Sequence, residues 1–172
     1  QRCREAWKEY DYEALTALAG AAPPFAALIV PDWPGFLNPP DMPAAIRQFC
    51  QEAGQPPPDS VGAVVRCILE SLALEYRHVL DQLLQATSRP IRAIHIIGGG
   101  SRNRLLCQFT ANATGVPVWA GPAEATAIGN ILVQAMGLGY VCSLAEIRDI
   151  VRRSFEVEAY APQDAEAWDA AY

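Results

Sequence analysis

Three successive glycines, Gly98-Gly99-Gly100, follow the apolar run Ile94-His95-Ile96-Ile97 and lead into Ser101-Arg102-Asn103. Glycine loses more conformational entropy on ordering than any other residue, so such a run belongs where the chain bends sharply or where something approaches its backbone. Strand, bare turn, polar residues and then helix is the order in which open α/β sheets present backbone to a nucleotide, at a strand's carboxyl end. The run is not a phosphate-binding P-loop, because no Gly-Lys-Ser/Thr follows it. It is not the dinucleotide fingerprint either, because Asn103 stands where the third glycine would fall. A merely tight strand-to-helix turn explains the glycines as well as a ligand site does.

A second anomaly bears on that choice. Gly129 lies inside the helical spacing of residues 122–136, where glycine costs roughly 1 kcal/mol relative to alanine. Ala123, Ala125 and Ala127 keep the start of that helix slim. Two backbone-exposing stretches in adjacent β-α units predict one cleft between them, with close helix-sheet packing as the competing explanation. Glu124 is a polar group for such a cleft, or a carboxylate that stabilises the positive end of its helix. The remaining chemistry-bearing residues assemble into nothing catalytic. His78 reads as a surface or half-buried residue and His95 as facing the packing of its sheet, and neither has a nucleophile or carboxylate at a telling spacing. Cys3, Cys50, Cys67, Cys107 and Cys142 lack the spacing of a zinc site and read as reduced, mostly buried thiols.

The elements that must position these residues follow from periodicity. Residues 2–20 read as two helical pieces, the second capped by Asp11. The proline-rich stretch that follows excludes regular helix and leaves room for a short strand from Phe25 to Val30. Pro43 to Ala53 forms a short helix ended by Gly54. In the long helix beyond it Val61, Val65, Ile68, Leu72, Tyr76, Val79 and Leu83 mark a core face. Ile91 to Ile97 is a buried parallel strand, and Leu105 to Ala113 a helix closed by Gly115. Val116 to Gly121 is a second strand. Pro122 opens a helix lined by Ile128, Ile131, Leu132, Ala135 and Met136, and a last helix from Ser143 to Arg153 precedes a polar tail. The sum is an α/β fold, a β-α-β-α unit behind a long helix.

The chain has 172 residues, half of them apolar, enough to bury a core as one domain or a large part of one. A formal charge of -6 and the absence of basic runs exclude a phosphate-tracking surface, so no nucleic-acid partner is expected. Apolar stretches fall short of the roughly 20 residues that a membrane helix needs, so no membrane partner is expected and a cytoplasmic location follows. The opening Gln1-Arg2-Cys3 has no Met and starts within helical patterning, as a piece of a longer protein would.

The stretch "IHIIGGGSRNRLLCQFTANATGVPVWAGPAEATAIGN" resembles the adenosine-binding segment of the FGGY family of carbohydrate kinases. Upstream, "FLNPPDMP" and "VRCILESLALEYRHVL" look in particular like the branch that phosphorylates L-rhamnulose on its first hydroxyl with ATP and Mg2+. The resemblance implies an actin-like, ribonuclease H-like ATPase fold. Residues 1–172 would be a helix-rich, partial C-terminal nucleotide-binding domain of a two-domain sugar kinase. It implies adenosine contacts at Gly98, Gly99 and Gly100, with Asn103 lining or bracing the pocket and Gln1 at a further nucleotide-contacting position. The family's catalytic aspartate, Gly-Thr phosphate loop and sugar-binding residues would all precede this chain. The piece alone is therefore expected to turn over no sugar and to contain no catalytic or metal-binding residue.

The resemblance also sets Cys50 and Cys67 at positions that form a disulfide in some members of that branch, although a reducing cytoplasm opposes a bridge. The chain departs from the branch where Asp32-Trp33-Pro34-Gly35-Phe36 replaces an Asp-x-x-Arg-Phe run, and where Cys107 replaces a polar residue. If earlier strands of the domain lie outside the chain, the remaining sheet exposes an edge, and self-association of the piece follows. Three rivals stay open: the same part of another FGGY sugar kinase, such as one acting on xylulose, a non-catalytic nucleotide-binding module, and a structural α/β domain with no ligand.

Overall fold

The structure is a computed structural model and describes residues 2–172. In chain order the helices α1 (Arg2–Ala6), α2 (Tyr12–Ala21), α3 (Met42–Glu52) and α4 (Val61–Thr87) come first. Then follow β1 (Ile94–Ile96), α5 (Arg104–Thr114), β2 (Val118–Ala120), α6 (Ala125–Gly137), α7 (Leu144–Ser154), β3 (Glu158–Tyr160) and α8 (Ala165–Ala171). The chain divides into two compact units, one reaching to Ser88 and taking in Glu166–Tyr172, the other comprising Arg89–Ala165.

In the helical unit, side chains cap the helices at Asp11, as expected, and also at Ser60. Asp11 accepts the Ala14 N–H at 2.7 Å and Ser60 accepts that of Ala63 at 3.2 Å, each satisfying a donor that the first helical turn leaves free. A Cβ on Gly62 would stand 2.5 Å from the Leu18 carbonyl oxygen, so α2 and α4 meet at a distance that only glycine allows. That close contact draws the small face of α4 inward. Val64, Cys67, Ser71 and Ala73 are buried, whereas Tyr76, Val79 and Leu83 of the expected core stripe are exposed.

Phe25 to Val30 is not a strand. Phe25 adopts φ 51°, and three of the segment's N–H groups are taken by side chains: Phe25 by Glu70 at 2.9 Å, Leu28 by Gln55 at 2.8 Å and Ile29 by Ser71 at 2.9 Å. Glu70 is buried, and its other oxygen accepts from Arg66 at 2.7 Å. Arg66 in turn donates to the Ala22 carbonyl at 2.9 Å, just past the end of α2. Ala27, Ile46, Cys50, Val64 and Cys67 form a core cluster of this unit. Cys50 and Cys67 are both buried in that cluster and are not bridged.

In the α/β unit, β1 and β2 are parallel (Ile94↔Val118, Ile96↔Ala120), and β3 adds antiparallel to β2 (Val118↔Tyr160, Ala120↔Glu158). Ile94, Ile96, Val118, Ala120 and Tyr160 pack with Cys107 and Ala111 of α5. The opposite face carries His95 and Trp119, both exposed, with ring centroids 6.1 Å apart and planes 22° from parallel. His95 therefore stacks on the open face instead of entering the packing.

Further differences from the sequence reading lie at the end of the chain. The Gly121–Pro122 bond is cis, and α6 starts at Ala125 with Glu124 as its N-cap instead of opening at Pro122. No residue of α6 is buried, and Ile131 is among its exposed residues. The expected polar tail contains β3 and α8. Trp168 of α8 meets Phe25 edge-on at 4.9 Å, and Arg77 pairs with Asp169 at 2.6 Å, tying α8 to the helical unit.

Candidate functional site

Gly98–Arg102 forms a single 3-10 turn between β1 and α5. Gly98 sits at φ +75°, a conformation that L side chains rarely adopt, so glycine is required there by the backbone itself. Gly99 and Gly100 have no such requirement. A Cβ on Gly99 would meet nothing within 4 Å, and one on Gly100 would only touch Ile96 Cγ2 at 3.7 Å. The turn is thus not bare for the sake of packing. Gly99 and Gly100 are exposed at the carboxyl end of β1, with room where side chains would stand.

What holds a turn without side chains lies around it. The Ser101 hydroxyl donates to the Gly98 carbonyl at 2.7 Å, and the Asn103 N–H donates to that of Gly100 at 3.1 Å. Asn103 Oδ1 accepts the Leu106 N–H at 3.0 Å, making Asn103 the N-cap of α5. From below, Cys107 Sγ lies 3.9 Å from the Gly100 oxygen and 3.8 Å from that of Ser101, and burial raises this thiol's pKa to about 11. Gln1 falls outside the described residues.

The second bare stretch comes alongside. Gly121 N–H donates to Ile96 O at 2.9 Å, so the ends of β1 and β2 stand side by side. Glu124 caps α6 without a side-chain bond to it, and its carboxylate lies 3.5 Å from Arg102, joining the two turns at their exposed rim. A Cβ on Gly129 would meet nothing within 4 Å, which removes close packing as the reason for that glycine. The crevice outside the carboxyl ends of parallel strands is where open α/β sheets bind their ligands.

A third group of residues was invisible in the sequence reading. Glu158 of β3 accepts from Arg104 at 2.5 Å and from the Tyr160 hydroxyl. Those two bonds, the tyrosine's first, hold the Glu158 carboxyl below its ordinary range, while burial and then Glu158 push the Tyr160 hydroxyl up. Alternation in Phe155-Glu156-Val157-Glu158-Ala159-Tyr160 was the available strand signal.

The site offers peptide surface and open space, and no acid-base pair. Among the described residues no group of three or more His, Cys, Asp or Glu is placed to hold a metal ion. Among them, too, no helix is long and apolar enough to cross a membrane. His78 meets Gln82 at 2.9 Å on an exposed helix face.

Comparison with known proteins adds identity to this geometry. Residues 1–138 match the model of the FGGY family of carbohydrate kinases, C-terminal domain. The chain is 53% identical over 172 residues to a rhamnulokinase of Bacteroides thetaiotaomicron, covering all of this chain and 36% of that protein. It is 46% identical over 153 residues to a rhamnulokinase of Pectobacterium carotovorum, covering 89% of this chain and 31% of that protein. The chain thus spans about a third of the length of these relatives. In fold it is similar to a xylulose kinase from Rhodospirillum rubrum, with TM-score 0.65, 23% identity and coverage of 99% of this chain and 34% of that one. It is also similar to a Plasmodium falciparum glycerol kinase with ADP, with TM-score 0.68, 15% identity and coverage of 97% and 33%.

Proposed function

The chain belongs to the FGGY family of carbohydrate kinases, and from that premise we propose that it is the ATP-binding part of a kinase that converts L-rhamnulose to L-rhamnulose 1-phosphate. The observation that carries this reading is the exposed peptide surface of Gly99 and Gly100 beside empty space, at the carboxyl end of β1. Adenosine would lie on Gly98, Gly99 and Gly100, and Asn103 would keep the turn in shape as the cap of α5. A planar base needs flat, close backbone, and the turn supplies it without side chains to move aside.

ATP would supply the transferable phosphoryl group and Mg2+ would neutralise its charge. Phosphoryl transfer depends on positioning and charge neutralisation by groups from several segments. The residues named here only bind and orient, so this chain alone would not phosphorylate sugar. In this reading residues 1–172 form the later part of the second, nucleotide-binding domain of a two-domain cytoplasmic enzyme whose partners are nucleotide and sugar. The 53% and 46% identity to rhamnulokinases favours L-rhamnulose over the xylulose of a sibling kinase.

The edge of β1 turned away from β2 would pair with a second copy in the isolated chain. Ile94 N–H and Ile96 C=O are bonded on the β2 side, so by alternation the peptide groups of His95 point to the free edge.

The test is calorimetric titration of the chain with ATP and ADP, together with a sugar-phosphorylation assay of the full-length protein on L-rhamnulose and D-xylulose. Nucleotide binding with turnover of L-rhamnulose supports the reading. Preference for D-xylulose would transfer it to the sibling, and a full-length protein that binds nucleotide without turnover would make it a nucleotide-binding module.

A further inference from the structure

The bonds of Ser101 and Asn103 close the glycine turn locally, and its placement is set by what it leads into. It leads into α5, and one stripe of α5 is occupied along its length by a single later segment. Arg104, Gln108 and Asn112, spaced by four, lie on one face of the helix. Arg104 pairs with Glu158 at 2.5 Å. Gln108 donates to the Ala161 carbonyl at 2.8 Å and to Asn112 Oδ1 at 2.7 Å. Asn112 Oδ1 also accepts the N–H of Gln163 at 2.9 Å. Three polar side chains of α5 are therefore satisfied by residues 158–163.

The same segment reaches the glycine turn and its neighbour by two other contacts. Tyr160 packs in the cluster that contains Cys107, whose thiol faces the carbonyls of Gly100 and Ser101. The Glu156 carbonyl oxygen would stand 3.2 Å from a Cβ on Gly121, so it closes behind the second bare stretch. Both bare stretches thus meet the same later segment. That segment also lies beyond residues 1–138, the part matched by the family model.

We propose that Glu156–Gln163 is a positioning strap for the nucleotide turn, with Glu158 and Tyr160 setting the placement of Gly98–Gly100 through Arg104 and Cys107. This rests on the nucleotide-binding reading above. The strap residues touch no ligand themselves. Loosening them changes how well the turn is preorganised for nucleotide and leaves the sugar side alone, and misplacements of about 1 Å have large effects on bound-state geometry.

The experiment compares the intact kinase with its Glu158→Gln and Tyr160→Phe variants and with the charge-reversed pair Arg104→Glu/Glu158→Arg. Expected is a rise in KM for ATP of roughly fivefold or more in each single variant, with KM for the sugar and kcat at saturating ATP within about twofold. Partial recovery is expected in the reversed pair. An unchanged KM for ATP in both single variants, or equal changes in both KM values, overturns the strap. Failure of the unmodified protein to bind nucleotide overturns the functional reading instead, so the two failures are told apart. If one variant does not fold, the other decides, since one alters a charge and the other only a hydroxyl.

Discussion

The Ser101 hydroxyl lies 2.7 Å from the Gly98 carbonyl oxygen and folds the glycine turn back on itself. Gly98 holds the positive φ that this closure needs, while the neighbouring Gly99 has ordinary backbone and empty space where a side chain would be. The two glycines should therefore answer substitution differently. Gly98→Ala is expected to lower stability by about 1 kcal/mol through strain. Gly99→Val should leave the denaturation midpoint nearly unchanged yet weaken ATP binding by about tenfold, ~1.4 kcal/mol. Paired denaturant and calorimetric titrations check both, and normal nucleotide binding in Gly99→Val would remove the physical basis of the site.

Glu70 and Glu158 should respond to acid in opposite senses. Burial raises the Glu70 carboxyl above its ordinary 4.5, so the folded state holds that proton more tightly than the unfolded chain. Its contribution falls as pH rises from 4.5 through the folded value, and improves as pH drops back. Glu158 is depressed below 4.5 by Tyr160 and Arg104, so its contribution is present above 4.5 and lost as pH falls through the lower, folded value. Melting curves between pH 3 and 7 should show the first slope disappear in Glu70→Gln and the second in Glu158→Gln.

The thiols should divide by burial. Cys142 is exposed, whereas burial raises Cys3 and Cys107 to about 11 and Cys67 to about 12. At pH 8 a disulfide reagent should label Cys142 quickly and the other four only on unfolding, because the thiolate is the reactive form. Unfolding without reductant should release all five thiols. A total of three would mean that Cys50 and Cys67 are bridged instead of free.

What the sequence disclosed and what it hid follow the range of the interactions. Asp11, Gly54 and Gly115 mark helix ends correctly, since a cap is made within a few residues. The glycine turn was legible for the same reason. The Phe25–Val30 segment was not, because its backbone donors are satisfied by Glu70, Gln55 and Ser71, dozens of residues onward. The buried face of α4 was misread because the core closes on its small residues, Cys67, Ser71 and Ala73, and leaves Tyr76, Val79 and Leu83 exposed. β3 was missed because its inward residues, Glu158 and Tyr160, carry polar groups whose partners lie on another element. Of the braces of the site, Ser101, Asn103 and Cys107 act within a few residues of the turn, whereas Glu158 and Tyr160 belong to this second kind.

The free edge of β1 yields the last expectation. An unpaired strand edge offers a row of donors and acceptors to any extended chain, and natural sheets blunt such edges with proline or charge. β1 has neither, and beside it the stacked His95 and Trp119 expose further apolar surface. The isolated chain should therefore form concentration-dependent dimers in light scattering. His95→Pro removes the one N–H that points to the free edge, and proline is tolerated on an edge strand, so this variant should be monomeric with little change in helicity. A wild-type chain that stays monomeric at high concentration would show that the edge is not the source of association, and a His95→Pro dimer would shift the interface to the exposed stripe of α4 at Tyr76, Val79 and Leu83.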